Sequence, residues 1–391
     1  MIKNAVADRM HLLEGESAFT VLARARALEE QGRHIIHMEI GQPDFETPPN
    51  IIDAGCKAIT GGYTGYTPAP GYPELRQAVT DYAKRYKNVD ASREDVVITT
   101  GTKPVIFYTM LMLVNPGDEV IYPNPGFPAY NSCIRFVGGI PVPLKLSAEN
   151  DFRLDPDEFK ELITEKTKLI ILNSPSNPTG GVFTREDILE IANILKDRPD
   201  IFILSDEIYD RLVYDDEACS IASIPGFKGR TIIADGLSKA YAMTGWRLGY
   251  GIMHPDLAKH MELLVINSNS CAAAFTQIAA IEALSGSQNA VESMCADFLQ
   301  RRDYLTAALN AIDGISCRLP RGAFYVFPDI SSFGLPCELF AERLLNEAGV
   351  AASWGTAFGK FGEGHIRLSY ATSLDNIKIA IDRIEQFTKT L

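Results

Sequence analysis

The chain has 391 residues, 46% of them hydrophobic, with 37 basic against 50 acidic side chains and a formal net charge of −13 at pH 7. That length and apolar content suit about two or three domains with sizeable cores. So acidic a chain lacks the footprint of a nucleic-acid binder or of a protein held on an anionic membrane surface.

The seven cysteines, at positions 56, 133, 219, 271, 295, 317 and 337, are scattered without a C-x-x-C pair. Reduced thiols in a cytoplasmic protein are expected from that usage, not a disulfide framework. The six histidines have no metal-ligand spacing with each other or with cysteines, so no metal is expected. No stretch reads as a signal peptide or as a membrane span of ~20 apolar residues.

In chain order, residues 19–31 show helical spacing that Gly32 ends, and an apolar segment at 35–40 runs into the turn Gly41-Gln42-Pro43-Asp44. After Pro73 comes an amphipathic helix with Leu75, Val79, Tyr82 and Tyr86 on one stripe. Short apolar strands are predicted at 96–99, 119–122, 168–172, 201–205, 231–234 and 250–253, most of them separated by helical or turn-rich segments. This alternation implies an α/β fold of three layers, with a mostly parallel central sheet between helices. Beyond residue 285 the texture changes: a long helix over 289–312, strands at 315–319, 323–327 and 365–370, a helix near 339–347 and a last one from Ser373. These form a smaller α+β domain, which the turn at 41–44 suggests the N-terminal arm joins. The expected division is an arm at 1–45, a large domain at 46–285 and a small domain at 286–391.

Two nucleotide motifs are absent. Gly355-Thr356-Ala357-Phe358-Gly359-Lys360-Phe361 has three residues between its glycines where a phosphate loop has four, and Phe follows the lysine where Ser or Thr should. No G-x-G-x-x-G opens a helix after a strand.

The chemistry gathers around Lys239, in Ser238-Lys239-Ala240-Tyr241-Ala242-Met243-Thr244-Gly245-Trp246-Arg247. The β-branched run 231–234 delivers this lysine to a strand's C-terminal edge, where open α/β sheets bind ligands. Apolar surroundings disfavour the charged amine, leaving it free to form a Schiff base with a carbonyl. A lone lysine there would ordinarily be one that snorkels to solvent. Four other strand ends supply it with company. Asp206 ends an apolar strand with Tyr209 three residues on; a pyridine-ring cofactor needs such a buried acid at its ring nitrogen and a hydroxyl at its phenolic oxygen. Asn173-Ser174-Pro175-Ser176-Asn177-Pro178-Thr179-Gly180 makes a rigid turn. Gly101-Thr102-Lys103 stands at a helix start, where free N–H groups favour a phosphate. Phe127, in a proline-rich loop, offers a ring to a flat ligand.

Together these stretches resemble the class I pyridoxal-phosphate-dependent aminotransferases of fold type I, and the resemblance runs through the whole chain. It rests on Gly41-Gln42-Pro43-Asp44-Phe45, Tyr66-Thr67-Pro68, Asn177-Pro178-Thr179-Gly180, Arg367-Leu368-Ser369-Tyr370-Ala371 and above all the segment 238–247. The resemblance implies that Lys239 forms the Schiff base with pyridoxal 5'-phosphate, and that Ser238, Arg247 and the Gly101-Thr102-Lys103 backbone hold its phosphate. Asp206 would pair with the ring nitrogen, Tyr209 and Asn177 would bond the phenolic oxygen, and Phe127 would stack on the ring. Arg367 would clamp the substrate carboxylate with help from Gly41 and Asn177, a planar guanidinium being suited to bidentate contact. Tyr66 would reach the phosphate of a neighbouring subunit, which implies a homodimer with shared active sites.

The expected activity is transfer of an amino group between an L-amino acid and a 2-oxo acid. A C–S lyase or related elimination enzyme of the same fold is the alternative, told apart by release of pyruvate and ammonia. A cofactor-sensing regulator would need a DNA-binding region, for which the N-terminus offers no basic cluster, and an inactive paralogue would not need the intact lysine, aspartate and arginines. Ser353-Trp354-Gly355 replaces the Pro-Gly of many relatives and is expected to set a bulky ring near the entrance. Asn267-Ser268-Asn269-Ser270 and Lys103 are candidate polar contacts to the substrate.

Overall fold

The computed structural model describes residues 6–215 and 217–391; the first five residues of the expected arm lie outside the described residues. Twelve strands occur among them. They are β1 (Ile36–His37), β2 (Val96–Thr99), β3 (Glu119–Asn124), β4 (Ile140–Lys145), β5 (Thr167–Asn173), β6 (Phe202–Asp206), β7 (Thr231–Gly236), β8 (Gly249–Ile252), β9 (Tyr325–Val326), β10 (Val350–Ala351), β11 (Ser353–Trp354) and β12 (Ile366–Ser369).

The central sheet has seven strands in the order β2-β8-β7-β6-β5-β3-β4. Pairings from β7 through β4 are parallel, and β8 runs antiparallel to both its neighbours. The α/β class with a mostly parallel sheet is therefore as expected. Period-two alternation feeds both faces: Val97, Leu169, Ile171, Leu204 and Ile232 enter one core, while Ile98, Ile233, Ile170 and Ile203 point into those on the opposite face. Because β2, β3, β5, β6 and β7 run the same way, Thr99, Asn124, Asn173, Asp206 and Gly236 all finish at one edge.

Strand β4 was not foreseen, because Pro141 and Pro143 break the strand pattern; it is an edge strand, where proline is tolerated. Four helices matter for the site: α1 (Ser17–Glu29), α2 (Pro49–Thr60), α3 (Pro73–Lys87) and α4 (Lys103–Leu113). The stripe on α3 faces inward as its spacing predicts, with Leu75, Val79 and Tyr82 buried.

A smaller set of strands lies beyond the long helix Asn289–Asn310. Strands β11, β12 and β9 form an antiparallel sheet, and β10 pairs in parallel with β1, Ile36 opposite Val350. Ile36 and Met38 share a core with Phe298, Leu305, Phe340, Ile377 and Ile384, so the segment after α1 packs among residues more than 250 positions later. The strand predicted at 315–319 is reduced to an isolated bridge between Ser316 and Asp329. The final helix, Leu374–Thr388, is capped by Ser373, whose hydroxyl accepts the Asn376 N–H at 3.2 Å.

Candidate active site

A cleft of about 520 Å³ opens at the common strand edge, against α1 and the turn at Gly41. Lys239, Asp206, Tyr209, Asn177, Ser238, Arg247, Thr102, Lys103, Phe127, Gly41 and Arg367 all line it. Gly101 sits immediately behind Arg247, and Tyr66, 89% exposed, does not reach the cleft.

Lys239 follows β7 by three residues and is partly buried. Its Nζ donates to the Gly41 carbonyl at 2.6 Å and stands 5.9 Å from the ring centroids of Tyr209 and Phe324. Burial, with the nearby positive charge of Arg367, pushes its amine down from 10.5 to about 8. About a tenth of the amine is therefore neutral at pH 7, far more than an ordinary lysine offers to nucleophilic or base chemistry.

On one side, Asp206 ends β6 at 4% exposure. One carboxylate oxygen accepts the Tyr130 hydroxyl at 2.6 Å and the other faces the Ile208 N–H at 3.4 Å. Burial pushes its carboxyl up to about 6, and these two hydrogen bonds restrain the rise. A buried acid that still ionises near neutrality suits a cationic ring nitrogen. Tyr209 and Tyr325 share a hydrogen bond at 2.8 Å, and Tyr325 occupies the space beside Gly41: a Cβ there would lie 2.1 Å from the Tyr325 hydroxyl. Gly41 is thus held to glycine by sterics.

Opposite this pair, the turn after β2 carries Gly101 at φ +90°, a backbone state that favours glycine. A Cβ at Gly101 would meet Arg247 Nη2 at 2.3 Å, so the missing side chain is what lets the guanidinium lie across the turn. Arg247 donates to the carbonyls of Thr244 at 2.8 Å and Thr100 at 3.3 Å. With the first-turn N–H groups of α4 beside it, this corner is cationic and donor-rich. Phe127 packs edge-on to Tyr130 at 5.6 Å, and Lys103 lies 5.4 Å over the Phe127 ring while pairing with Glu16 of the segment leading into α1.

Arg367, on β12, is 3% exposed. Its Nη1 donates to Asn177 Oδ1 at 2.9 Å, its Nη2 to the Glu39 carbonyl, and its plane rests on Tyr325 and Phe358 at 4.5 and 4.8 Å. Among the described residues its Nε is buried without a hydrogen-bond partner. A buried cation with an unmet donor, facing a cleft, is prepared for an anion.

These features fit pyridoxal phosphate: an acid for the ring nitrogen, an amine between, and a cationic turn with Gly101 at its bend for the phosphate. Tyr130, Tyr325, the Glu39 carbonyl and Glu16 were not foreseen. Tyr130 follows Phe127 by three residues, but nothing in the sequence ties it to an acid 76 positions on. Two specificity expectations land elsewhere. Trp354 packs against both the core around Phe298 and Phe340 and the cluster holding Val21, Ala25 and Leu345, without lining the cleft. Asn269 donates to the Thr100 hydroxyl at 2.9 Å, outside the lining.

Comparison with known proteins agrees with this geometry. The family model described as aminotransferase class I and II matches residues 33–384. An aspartate aminotransferase of Bacillus sp. (strain YM-2) is 39% identical over 99% of this chain and 100% of that protein. An aspartate/prephenate aminotransferase of Cereibacter sphaeroides is 38% identical, covering 98% of each. Among solved structures, alanine aminotransferase from Pyrococcus furiosus superimposes with a TM-score of 0.94 at 34% identity, covering 99% of this chain and 100% of that one. Aspartate aminotransferase from Thermus thermophilus with maleate gives 0.94 at 35% identity, covering 98% and 99%.

Proposed function

Since the chain belongs to the class I and II aminotransferases, a family of pyridoxal-phosphate-dependent transaminases, we propose that Lys239 is its Schiff-base lysine and proton carrier. The observation that carries this assignment is one cleft holding a depressed amine, Lys239, between the buried acid Asp206 and the buried cation Arg367. The protein moves an amino group between an L-amino acid and a 2-oxo acid.

When bound, pyridoxal phosphate supplies an aldehyde for the substrate amine and an electron-withdrawing ring that acidifies the substrate Cα–H. The protein's residues divide the remaining work. Arg367, steadied by Asn177 and stacked on Tyr325, takes the substrate carboxylate, with help from the Gly41 backbone. This fixes which Cα bond faces Lys239, whose neutral Nζ accepts the Cα proton and later returns it. Asp206, held by Tyr130, keeps a proton on the ring nitrogen. Tyr209 and Asn177 offer polar contacts at the phenolic oxygen, and Phe127 covers the ring. Ser238, Arg247 and the Gly101-Thr102-Lys103 backbone grip the phosphate.

The donors include dicarboxylic amino acids. Lys103 lines the cleft paired with Glu16, and a substrate side-chain carboxylate would take the place of the Glu16 carboxylate on it. The aspartate aminotransferase relatives accord with this reading.

Tyr66 completes the phosphate site of a second copy, an assignment supported by its near-complete exposure in the single chain, and the working unit is a homodimer. The arm expected at 1–45 divides: residues 17–45 and 286–391 form the small domain against a large domain at 46–285, a division supported by the β1–β10 pairing, whereas Glu14 and Glu16 lie on the large domain against Ser132, Arg135 and Lys103. All seven cysteines are unpaired, and among the described residues no helix is long and apolar enough to cross a membrane, which supports a cytoplasmic setting.

The deciding experiment adds a panel of amino acids to the cofactor-loaded protein and follows the visible band of the bound cofactor together with the products. Spectral conversion with 2-oxo acid release, strongest for aspartate or glutamate, is the expected result. Release of ammonia and pyruvate would instead assign an elimination enzyme.

A further inference from the structure

A buried cation lies behind the cleft wall and takes no direct part in the chemistry above. Lys87 is the last residue of α3, and its side chain, 2% exposed, turns into the core. Its Nζ meets three carboxylates, Asp210 at 2.6 Å, Glu207 at 3.0 Å and Asp235 at 3.0 Å. An ammonium has three N–H donors, so each acid can receive one.

Every acid in the cluster is also fixed from another side. Asp210 accepts the Tyr82 hydroxyl at 2.8 Å, and Glu207 accepts the hydroxyls of Ser205 at 2.7 Å and Ser220 at 2.6 Å. Asp235 accepts the Tyr250 hydroxyl at 2.9 Å and the Gly236 N–H at 2.6 Å. The ring of Tyr82 faces Lys87 at 5.8 Å, while the nearby Arg211 stacks on Tyr86 and bonds Gln288. Burial and the charge of Asp210 both push the Asp235 carboxyl up, while the three acids outweigh burial to keep Lys87 charged.

The placement of these acids links the cluster to the site. Glu207 directly follows Asp206, Asp210 directly follows Tyr209, and Asp235 precedes Ser238 and Lys239 by three and four residues. The ladder between β6 and β7 ends at Asp206 opposite Ala234, with one more bond from the Glu207 N–H to the Ala234 carbonyl at 2.9 Å. Past that point β7 runs on through Asp235 and Gly236 beside β8 while the chain after Asp206 leaves the sheet, and the Lys87 ammonium ties the two together. Removing one partner of such a buried set leaves uncompensated charge, so the arrangement tolerates little drift.

We propose that Lys87 is a positioning residue for transamination, holding the 206–210 segment against Asp235 near the end of β7 so that Asp206 and Tyr209 keep their register with Ser238 and Lys239. The proposal rests on the assignment of Lys239 and Asp206 given above.

Its test uses the cofactor-loaded protein. Lys87→Met leaves three acids facing no cation and is prone to misfold, so the deciding variant is Lys87→Met with Asp210→Asn, which preserves the net charge of the cluster. Thermal melting verifies folding. In the folded double variant, kcat is expected to fall about tenfold or more while KM for the amino donor stays within about threefold, because the Arg367–Asn177 clamp is untouched. The pH at which the visible band of the bound cofactor changes should also move, since Asp206 and Lys239 set it. A double variant with kcat within about twofold of the parent and an unmoved spectral midpoint, even with a lower melting temperature, would overturn the proposal and reduce Lys87 to a core ion pair. Lys239→Ala, measured alongside, separates the two readings: it tests the site through turnover alone, whereas Lys87 is judged on the spectrum and on kcat against KM.

Discussion

The Tyr130 hydroxyl bonds the Asp206 carboxylate at 2.6 Å inside the core of the large sheet, where both side chains are all but excluded from solvent. Burial is what raises the Asp206 carboxyl to about 6, and the Tyr130 bond is the larger of the two hydrogen bonds opposing that rise. Tyr130→Phe removes the opposing bond and sends the carboxyl higher still. The acid limb of the rate profile should then shift to higher pH, and cofactor affinity near pH 7 should drop by about tenfold, the usual worth of a hydrogen bond to a charged group. Cofactor titration by absorbance across pH checks both.

Lys239→Ala is expected to lower kcat by at least about 10³-fold while cofactor still binds non-covalently, since both nucleophile and base are lost. Turnover near the parent level would remove Lys239 from the mechanism. In the cofactor-free protein the neutral amine grows as pH rises, so capture of pyridoxal phosphate should accelerate through about pH 8 and not through the ordinary lysine range. Stopped-flow capture rates provide the measurement. Arg367 is one cause of the depression, and its removal should move that limb upward.

Arg367→Gln abolishes the carboxylate clamp and leaves Asn177 without its donor at 2.9 Å. A loss of about 2 kcal/mol or more is expected, equivalent to at least about a thirtyfold rise in KM for every amino acid tried. A rise confined to one substrate would show that Arg367 reads a side chain instead.

His37 bridges Glu39 at 2.8 Å and Glu29 of α1 at 3.2 Å. The Glu39 hydrogen bond leads in raising its imidazole from 6.5 to about 9, against the opposing effect of burial. A raised histidine contributes stability that is complete below its unfolded value and fades as pH rises through the folded one. His37→Gln should therefore cost about 1 kcal/mol near pH 6, after allowance for partial solvent screening, and almost nothing above pH 10. Denaturant unfolding at the two pH values distinguishes this from a pH-independent packing defect.

The strands of the central sheet other than β4, and the lysine turn, were readable because each is a local pattern: an apolar run such as 231–234 bounded by the residues of a turn. Asp206 and Tyr209 were readable from a strand end, Asn177 and Arg367 gained their roles through resemblance, and the fold brings all four to one cleft. What escaped were contacts between distant segments. Nothing near Tyr130 announces Asp206, and Tyr325 reads as one more core aromatic until Gly41 and Tyr209 are seen against it. Lys87 sits at the end of a helix among Lys84 and Arg85, indistinguishable in sequence from a solvated basic turn. Trp354 misled for the same reason in reverse, its ring being taken up by α1 and the small core.

Strand β4 forms the outermost edge of the large sheet. The N–H groups of Ile140 and Leu146 point inward, to the carbonyls of Asp118 and Asn124, so by alternation the outward positions in this strand are Pro141, Pro143 and Lys145. Two of those three have no hydrogen to donate and the third carries a charge. The margin is thereby closed to templated strand addition, which lets a sheet with a bare flank remain in concentrated solution without recruiting other chains into a growing aggregate.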